Sequence, residues 1–581
     1  MVYNKHRGSI MKINDVEKIT GLTGKAIRLY EGKGLISVQR DQNGYRNYSK
    51  DDVEKLKEIK LLRSIGASIS DIKLYLFGVM SLEELMDKRK TEILNESGKN
   101  SEKYRLCVDI SAKSSLKSIK NEDSFIENEK TNNKTHGALS IGIDIGTTTV
   151  SAVVYDIDNK EQLDAYSVPH SSYVSSDIRF EQSVSAIIGK SEKLLYHILD
   201  SYTDIVSIGI SGQMHGIVYL DGDGKAVSNL INWQDKRADI MLDNGKTTCQ
   251  AILEITGEHI STGYGIATHY YNILNKQVPN GAVGFCSIMD YFAMQICGLK
   301  KATSHTSVCA SLGLFDIKKS SFMVDKLSLL EIDESFLPTV TDKSIIIGEC
   351  REIPVSIPLG DNQASFLGSV CENTDTMLIN MGTGSQVSAV SDYIETSGDI
   401  ELRPFIEGKY LICGSALCGG FAYAMLEEFF RSYITSAGMQ EEVQYKTMNM
   451  LAKEAYEKGE KGLLVDTSFS GKRSNPNLRG SISMIDRQGF TPSALIIGVL
   501  KGMCKELYEL YELFPEKKTH IVASGGTVKK NKTLKKLISD IFGMSVSINT
   551  VEEEAATGVA LFSAFASGKI NYNNGFLDYI R

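Results

Sequence analysis

Two segments far apart in the chain carry the same alternation of apolar and polar positions. In 143–153, Ile143-Asp144-Ile145 leads through Gly146-Thr147-Thr148-Thr149 to Val150-Ser151-Ala152-Val153. In 379–390, Ile379-Asn380-Met381 leads through Gly382-Thr383-Gly384-Ser385 to Gln386-Val387-Ser388-Ala389-Val390. Each predicts a strand, a tight turn and a returning strand. The tip of such a hairpin offers backbone N–H and hydroxyl donors, the chemistry that holds a phosphate. Either hairpin alone reads equally well as an ordinary glycine-rich turn. Their repetition predicts two related domains facing one nucleotide.

From Ala138 onward the pattern is α/β, with apolar strands predicted over 140–145, 150–155 and 205–210. Polar groups follow the strand ends. Asp144 meets the first turn, where a carboxylate can hold a hydrated magnesium ion near phosphates. Ser211-Gly212-Gln213-Met214-His215-Gly216 lies at the C-terminal end of a strand, the place where α/β sheets build sites. Asn232-Trp233-Gln234-Asp235 holds the single tryptophan of the chain. Its ring suits a sugar's C–H face while the flanking groups satisfy hydroxyls, and core packing accounts for it nearly as well. In Leu359-Gly360-Asp361-Asn362-Gln363, a carboxylate opens a helix after a strand and can take the proton of an attacking alcohol. Ile521-Val522-Ala523-Ser524-Gly525-Gly526 ends a strand in bare backbone against which a flat base can lie. Glu553 to Ala560 predicts a small-residue helix suited to close packing.

The first 80 residues follow another plan. A short helix begins near Asn14 and ends at Gly21, and Thr23 caps a second helix through Ala26, Ile27, Arg28, Leu29 and Tyr30. Asn43-Gly44 marks a hairpin with arginines on both arms. Ser49 caps a helix carrying Val53, Leu56, Ile59 and Leu62, and a last helix spans 70–77. A further short helix (Leu82, Leu85, Met86, Ile93, Leu94) stops at Gly98. Residues 102–137 turn to Ser, Lys, Asn and Glu and read as a flexible linker.

Charge separates these parts. The net charge is −8 overall, but residues 1–137 carry +6 and the remainder −14. A basic head on an acidic body predicts that the head alone meets a polyanion. The 581 residues exceed one core and suggest three or four domains. No apolar run is long enough to span a membrane, and the first residues lead to no signal-peptide core. Ten cysteines form no Cys-x-x-Cys pair; a reducing cytoplasm without structural zinc is the expectation.

The string Ala26-Ile27-Arg28-Leu29-Tyr30-Glu31, with Gly34-Leu35 and Gly44-Tyr45-Arg46-Asn47-Tyr48, resembles the MerR family of winged helix-turn-helix regulators over 11–78. The resemblance implies double-stranded DNA as partner. Lys25 and Arg28 would serve the recognition helix, and Arg40, Tyr45 and Arg46 would grip backbone phosphates; Tyr30 and Tyr48 read as core. Such regulators usually dimerise through a long helix after this module. The helix here is short, which leaves a homodimer open.

Residues 138–570 resemble the FGGY carbohydrate kinases, and the landmarks above carry the resemblance. Gly212 to Gly216, Trp233-Gln234-Asp235, Gly414 to Gly420 and Asp466 to Arg473 look most like the sedoheptulokinase branch, with xylulokinases next. The implied fold is α/β: two ribonuclease-H-like, actin-like ATPase domains around a cleft, preceded by an all-α winged helix-turn-helix domain. The implied chemistry is transfer of a phosphoryl group from ATP, with Mg2+, to a primary hydroxyl of a ketose. By position, Asp361 matches the catalytic base and Asp144 the metal-associated acid. Thr147, Thr148, Gly382, Thr383 and Gly384 match phosphate contacts, and Gly525 and Gly526 the adenosine site. Gln213, Met214, His215, Trp233 and Asp235 match substrate-side positions. Lys529-Lys530-Asn531 departs from the relatives' pattern after the glycine pair.

The expected organisation is 1–80 DNA-binding head, 81–137 short helix and linker, 138–370 sugar-binding domain with the base, and 371–581 nucleotide-binding domain. A second reading makes the protein a sugar-responsive transcription regulator whose kinase-like body acts as a sensor. Intact acids and both hairpins favour retained chemistry.

Overall fold

The computed structural model describes residues 11–40, 46–97, 102–111, 136–174, 178–370, 375–394, 398–472, 475, 477–487 and 489–570. The chain forms two compact units: residues 1–136 with 166–169, and residues 137–165 with 170–581. Among the described residues no helix is long and apolar enough to cross a membrane.

In the first unit, helix Ile13–Thr20 ends at Gly21, whose φ of 67° is a left-handed cap. Thr23 then caps Gly24–Gly32 by accepting from the Ala26 N–H over 3.2 Å. Strands Gln39–Arg40 and Arg46–Asn47 pair antiparallel as the wing. Ser49 opens Lys50–Ser64 with a capping box closed by Asp52. Val16, Ile27, Tyr30, Tyr48, Leu56, Ile59 and Leu62 form the buried core. The first helix starts slightly before the Asn14 signal, at Ile13.

One expectation is corrected. Residues 102–111, read from composition as linker, form helix Glu102–Ser111. It packs on Leu82–Ser97, and Cys107 and Ile110 are buried. Two well-placed apolar side chains on a partner helix suffice where composition looks polar. Residues 112–135 lie outside the described residues.

The second unit contains the same motif twice. In one sheet, strand Leu139–Ile145 turns into antiparallel Thr149–Asp156 and pairs in parallel with Ile205–Gly212. In the other, Thr376–Met381 turns into Ser385–Ser391 and pairs in parallel with His520–Ser524. Asp144 stands opposite Ser211 in the first sheet, and Asn380 opposite Ser524 in the second. The repeat seen in the sequence is therefore a repeat of topology.

The helix Glu554–Ala566 locks the first sheet in place. A Cβ on Gly142 would overlap the Ala556 carbonyl oxygen, and one on Gly209 that of Val559. Helix Asp361–Val370 crosses it equally closely: Cβ atoms on Gly368 and Gly558 would overlap the carbonyls of Glu554 and Ala364. Only glycine allows such backbone-to-backbone approach. The polar groups inside this packing are satisfied, since Ser140 donates to the Ala560 carbonyl over 2.7 Å and bonds to Ser207 and Ser563.

Candidate active site

Both hairpin turns are held from behind by their carbonyl groups. In the first, the Gly146 oxygen accepts from His170 Nε2 and Gln213 Nε2, each at 3.2 Å. The Thr147 oxygen accepts from Gln182 Nε2 at 2.8 Å, and the Thr148 oxygen from the His170 N–H. In the second, the N-terminus of helix Gly419–Ser436 sits on the turn. The Gly420 and Phe421 N–H groups donate to the Gly382 and Thr383 carbonyls, both at 3.0 Å. Cβ atoms on Gly419 or Gly420 would collide with that turn. With carbonyls taken, what each tip can offer a ligand is N–H and hydroxyl.

A cavity of about 580 Å³ opens beside the second turn, lined by Asp144, Asp361, Asn380, Gly382, Thr383, Gly384, Ser385, Gln386 and Ser415. Acids from two separate strand ends thus share one space with a phosphate-type turn. Asp361 begins its helix directly after the two-residue strand Leu359–Gly360. Burial pushes its carboxyl up to about 6, opposed by the Asn362 N–H and the positive charge of Arg403. Asp144 is pushed further, to about 7, by burial and then by the Asp361 charge, against the Ser211 hydroxyl.

The substrate-side candidates divide. Gln213 is buried and serves the first turn. Met214 is buried with its sulfur beside Gly360, where a Cβ would come within 2.7 Å. His215 has a φ of 72°, donates from Nδ1 to the Ser311 carbonyl at 2.7 Å, and stacks on Tyr264 at 4.4 Å. Because a carbonyl oxygen only accepts, that bond places a hydrogen on Nδ1. Trp233 is 46% exposed, which sets aside core packing, and its Nε1 donates to Thr147 Oγ1 over 3.0 Å. Asp235 is closed off: its oxygens accept from Arg237 and from the Phe180 N–H, and its side chain is fully buried. Gly525, at a φ of 94°, abuts Met381, whereas a Cβ on Gly526 would meet open space.

Several residues escape sequence reasoning. Ser385 lies within the second hairpin motif and Gly419-Gly420 within the Gly414 to Gly420 phrase, so the sequence marks both stretches without assigning these residues a role. Gln182, His170 and Tyr264 carry no such mark, because long-range packing alone brings them to the site. In the first unit, Lys25 and Arg28 are exposed one turn apart on Gly24–Gly32. Arg46 bonds to Glu31, and Arg40 approaches the same carboxylate at 3.5 Å. Tyr45 lies outside the described residues.

The donor set fits a nucleoside triphosphate with a divalent cation. Ser385 Oγ is buried at the cavity without a hydrogen-bond partner, and a Cβ on Gly382 would meet only the Gly384 oxygen, at 3.9 Å. Among the described residues no group of three or more His, Cys, Asp or Glu could hold a metal. A cation held by one or two carboxylates plus phosphate oxygens is the habit of Mg2+.

Comparison with known proteins agrees with this geometry. Residues 139–368 match the N-terminal domain of the FGGY family of carbohydrate kinases, and 377–567 its C-terminal domain. Residues 11–77 match the MerR HTH family regulatory proteins. Mouse sedoheptulokinase is 25% identical, covering 73% of this chain and 96% of its own length. Staphylococcus xylosus xylulose kinase is 24% identical, covering 75% and 92%. The ligand-bound xylulose kinase of Lactobacillus acidophilus shares the fold, with a TM-score of 0.64 at 20% identity over 76% of this chain and 91% of that one. With both halves of its larger unit matched in order, the chain belongs to the FGGY family of carbohydrate kinases, and it is a sugar kinase carrying a MerR-type domain at its N-terminal end.

Proposed function

We propose that this kinase phosphorylates a primary hydroxyl of a ketose, sedoheptulose first and xylulose next, and that its head binds double-stranded DNA. The observation that carries the reaction is the placement of Asp361 and Asp144 on one cavity with the Gly382–Ser385 turn. Asp361, with its carboxyl near 6, is ionised at neutral pH yet basic enough to accept the proton of the attacking hydroxyl. Asp144 would hold Mg2+, and MgATP, when bound, supplies the phosphoryl group. Thr147, Thr148, Gly382, Thr383, Gly384 and Ser385 would hold the phosphates, and Gly525 and Gly526 the base. Trp233, His215 and Gln213 would face or support the sugar. Asp235 acts through Arg237, fixing the loop that presents Trp233.

The names of the most similar relatives support a ketose, and exposed Lys25 and Arg28 support the DNA reading. Incubating the protein with MgATP and a mixture of sedoheptulose, xylulose, glycerol and gluconate, followed by mass spectrometry, tests the substrate. A ketose phosphate as the main product supports the reading, and phosphoglycerol or phosphogluconate overturns it.

A further inference from the structure

Thr147 is gripped twice by groups that belong to the sugar side. Its hydroxyl accepts from the Trp233 indole N–H at 3.0 Å, across 86 positions of sequence. Its carbonyl accepts from Gln182 Nε2 at 2.8 Å. The Gln182 amide is fully committed: its second N–H donates to Ser172, and its oxygen accepts from Gln213 and from Asn232, the residue before Trp233. Reversing that amide would set its oxygen against the Thr147 carbonyl, so its orientation is determined.

From this geometry we infer that Trp233 and Gln182 are positioning residues that couple the sugar side to the nucleotide side through Thr147. The inference rests on the kinase reading given above. A hydroxyl that accepts from an indole keeps its own hydrogen to give, and a phosphate oxygen is the acceptor at this turn. Without the indole, the hydroxyl can rotate and donate that hydrogen elsewhere. Trp233 is 46% exposed, so a sugar stacking on its ring also fixes the ring's N–H. Sugar binding then strengthens nucleotide binding, and nucleotide strengthens sugar by the same factor.

The test is a double-mutant cycle on the affinity of the full chain for a non-hydrolysable ATP analogue with Mg2+, without sugar. Trp233→Phe keeps an aromatic ring at an exposed site and removes the donor together with part of the indole's face; Thr147→Val removes the hydroxyl. We expect losses of about five-fold and about ten-fold, with the double variant no weaker than Thr147→Val alone. Independent losses that multiply would overturn the inference. Gln182→Glu, which loses the donor to the Thr147 carbonyl, should weaken the analogue by about three-fold or more; an unchanged affinity would remove Gln182 from it.

In a second arm, saturating sedoheptulose or xylulose should tighten the analogue several-fold in the parent protein and less than about two-fold in Trp233→Phe. Equal tightening in both proteins sinks the coupling. If neither ketose changes the parent while the cycle is non-additive, the positioning stands and the ketose assignment falls.

Discussion

The Ser211 hydroxyl donates to the Asp144 carboxylate over 3.0 Å, a hydrogen bond that favours this carboxyl's charged form. Burial and the Asp361 charge outweigh it and push the group up to about 7. A carboxyl raised from 3.8 in this way contributes stability that is complete below 3.8 and lost as pH rises through about 7. Above that pH the fold carries a charged acid at a cost. Asp144→Asn should raise the melting temperature at about pH 8 by a few degrees, on the order of 1–2 kcal/mol once partial solvent screening is allowed for. Near pH 5, inside that window, the gain should be distinctly smaller, and it should vanish only below about 3.8. Calorimetry at the two pH values decides, and a gain larger at the lower pH would show the charge to be stabilising.

Asp361 should behave differently from the groups around it. Asp361→Asn keeps the shape of the cavity and removes the carboxylate proposed as the base, so turnover should fall by about 100-fold or more. Nucleotide affinity should stay within about three-fold, because the turn at Gly382 is untouched. Comparing single-turnover phosphorylation with calorimetric binding of an ATP analogue separates the two. Full activity in this variant would remove Asp361 from the chemistry.

For the head, Arg28→Ala should weaken binding to a promoter fragment and lower the slope of log affinity against log salt by about one for each phosphate no longer neutralised. Arg46→Ala should cost less, since Glu31 already holds that guanidinium. Fluorescence anisotropy over a salt series measures both. Equal weakening in the two variants would mean that the wing carries as much of the binding as the helix.

Two glycines in helices should respond to alanine with opposite sign. On Gly189, in the helix Val184–Ser201, a Cβ would meet nothing within 4 Å. Gly189→Ala should stabilise by about 0.5–1 kcal/mol through helix propensity alone. Gly558→Ala carries the same propensity gain, but its Cβ falls on the Ala364 carbonyl. It should destabilise by on the order of 2 kcal/mol or more. Chemical denaturation of both variants reads the difference.

The hairpins at Gly146 and Gly382 are legible in the sequence because turn chemistry is local: glycine and threonine after an apolar run announce themselves. The strands near 140, 150 and 205 are legible for the same reason, as are the Thr23 and Ser49 caps. Asp235 is not. Its position beside Trp233 looks like a sugar contact, and only the fold reveals Arg237 folded back onto it. Gln182 and Tyr264 sit in stretches with no motif; their importance comes from packing across tens of residues. Helix Glu102–Ser111 escapes notice because cysteine and a single isoleucine barely register as a core until a neighbour covers them.

The Ser140 hydroxyl and the Ala560 carbonyl that accepts from it are separated by 420 positions. On a ribosome adding about 5–20 residues per second, the early sheet is exposed for tens of seconds before its covering helix emerges. Its glycine-lined face must wait, uncovered, for the late residues of the chain. Assembly of this first sheet is therefore a closing event of synthesis, and the nascent protein holds no finished cavity between Asp144 and Asp361 until nearly all of it has been made.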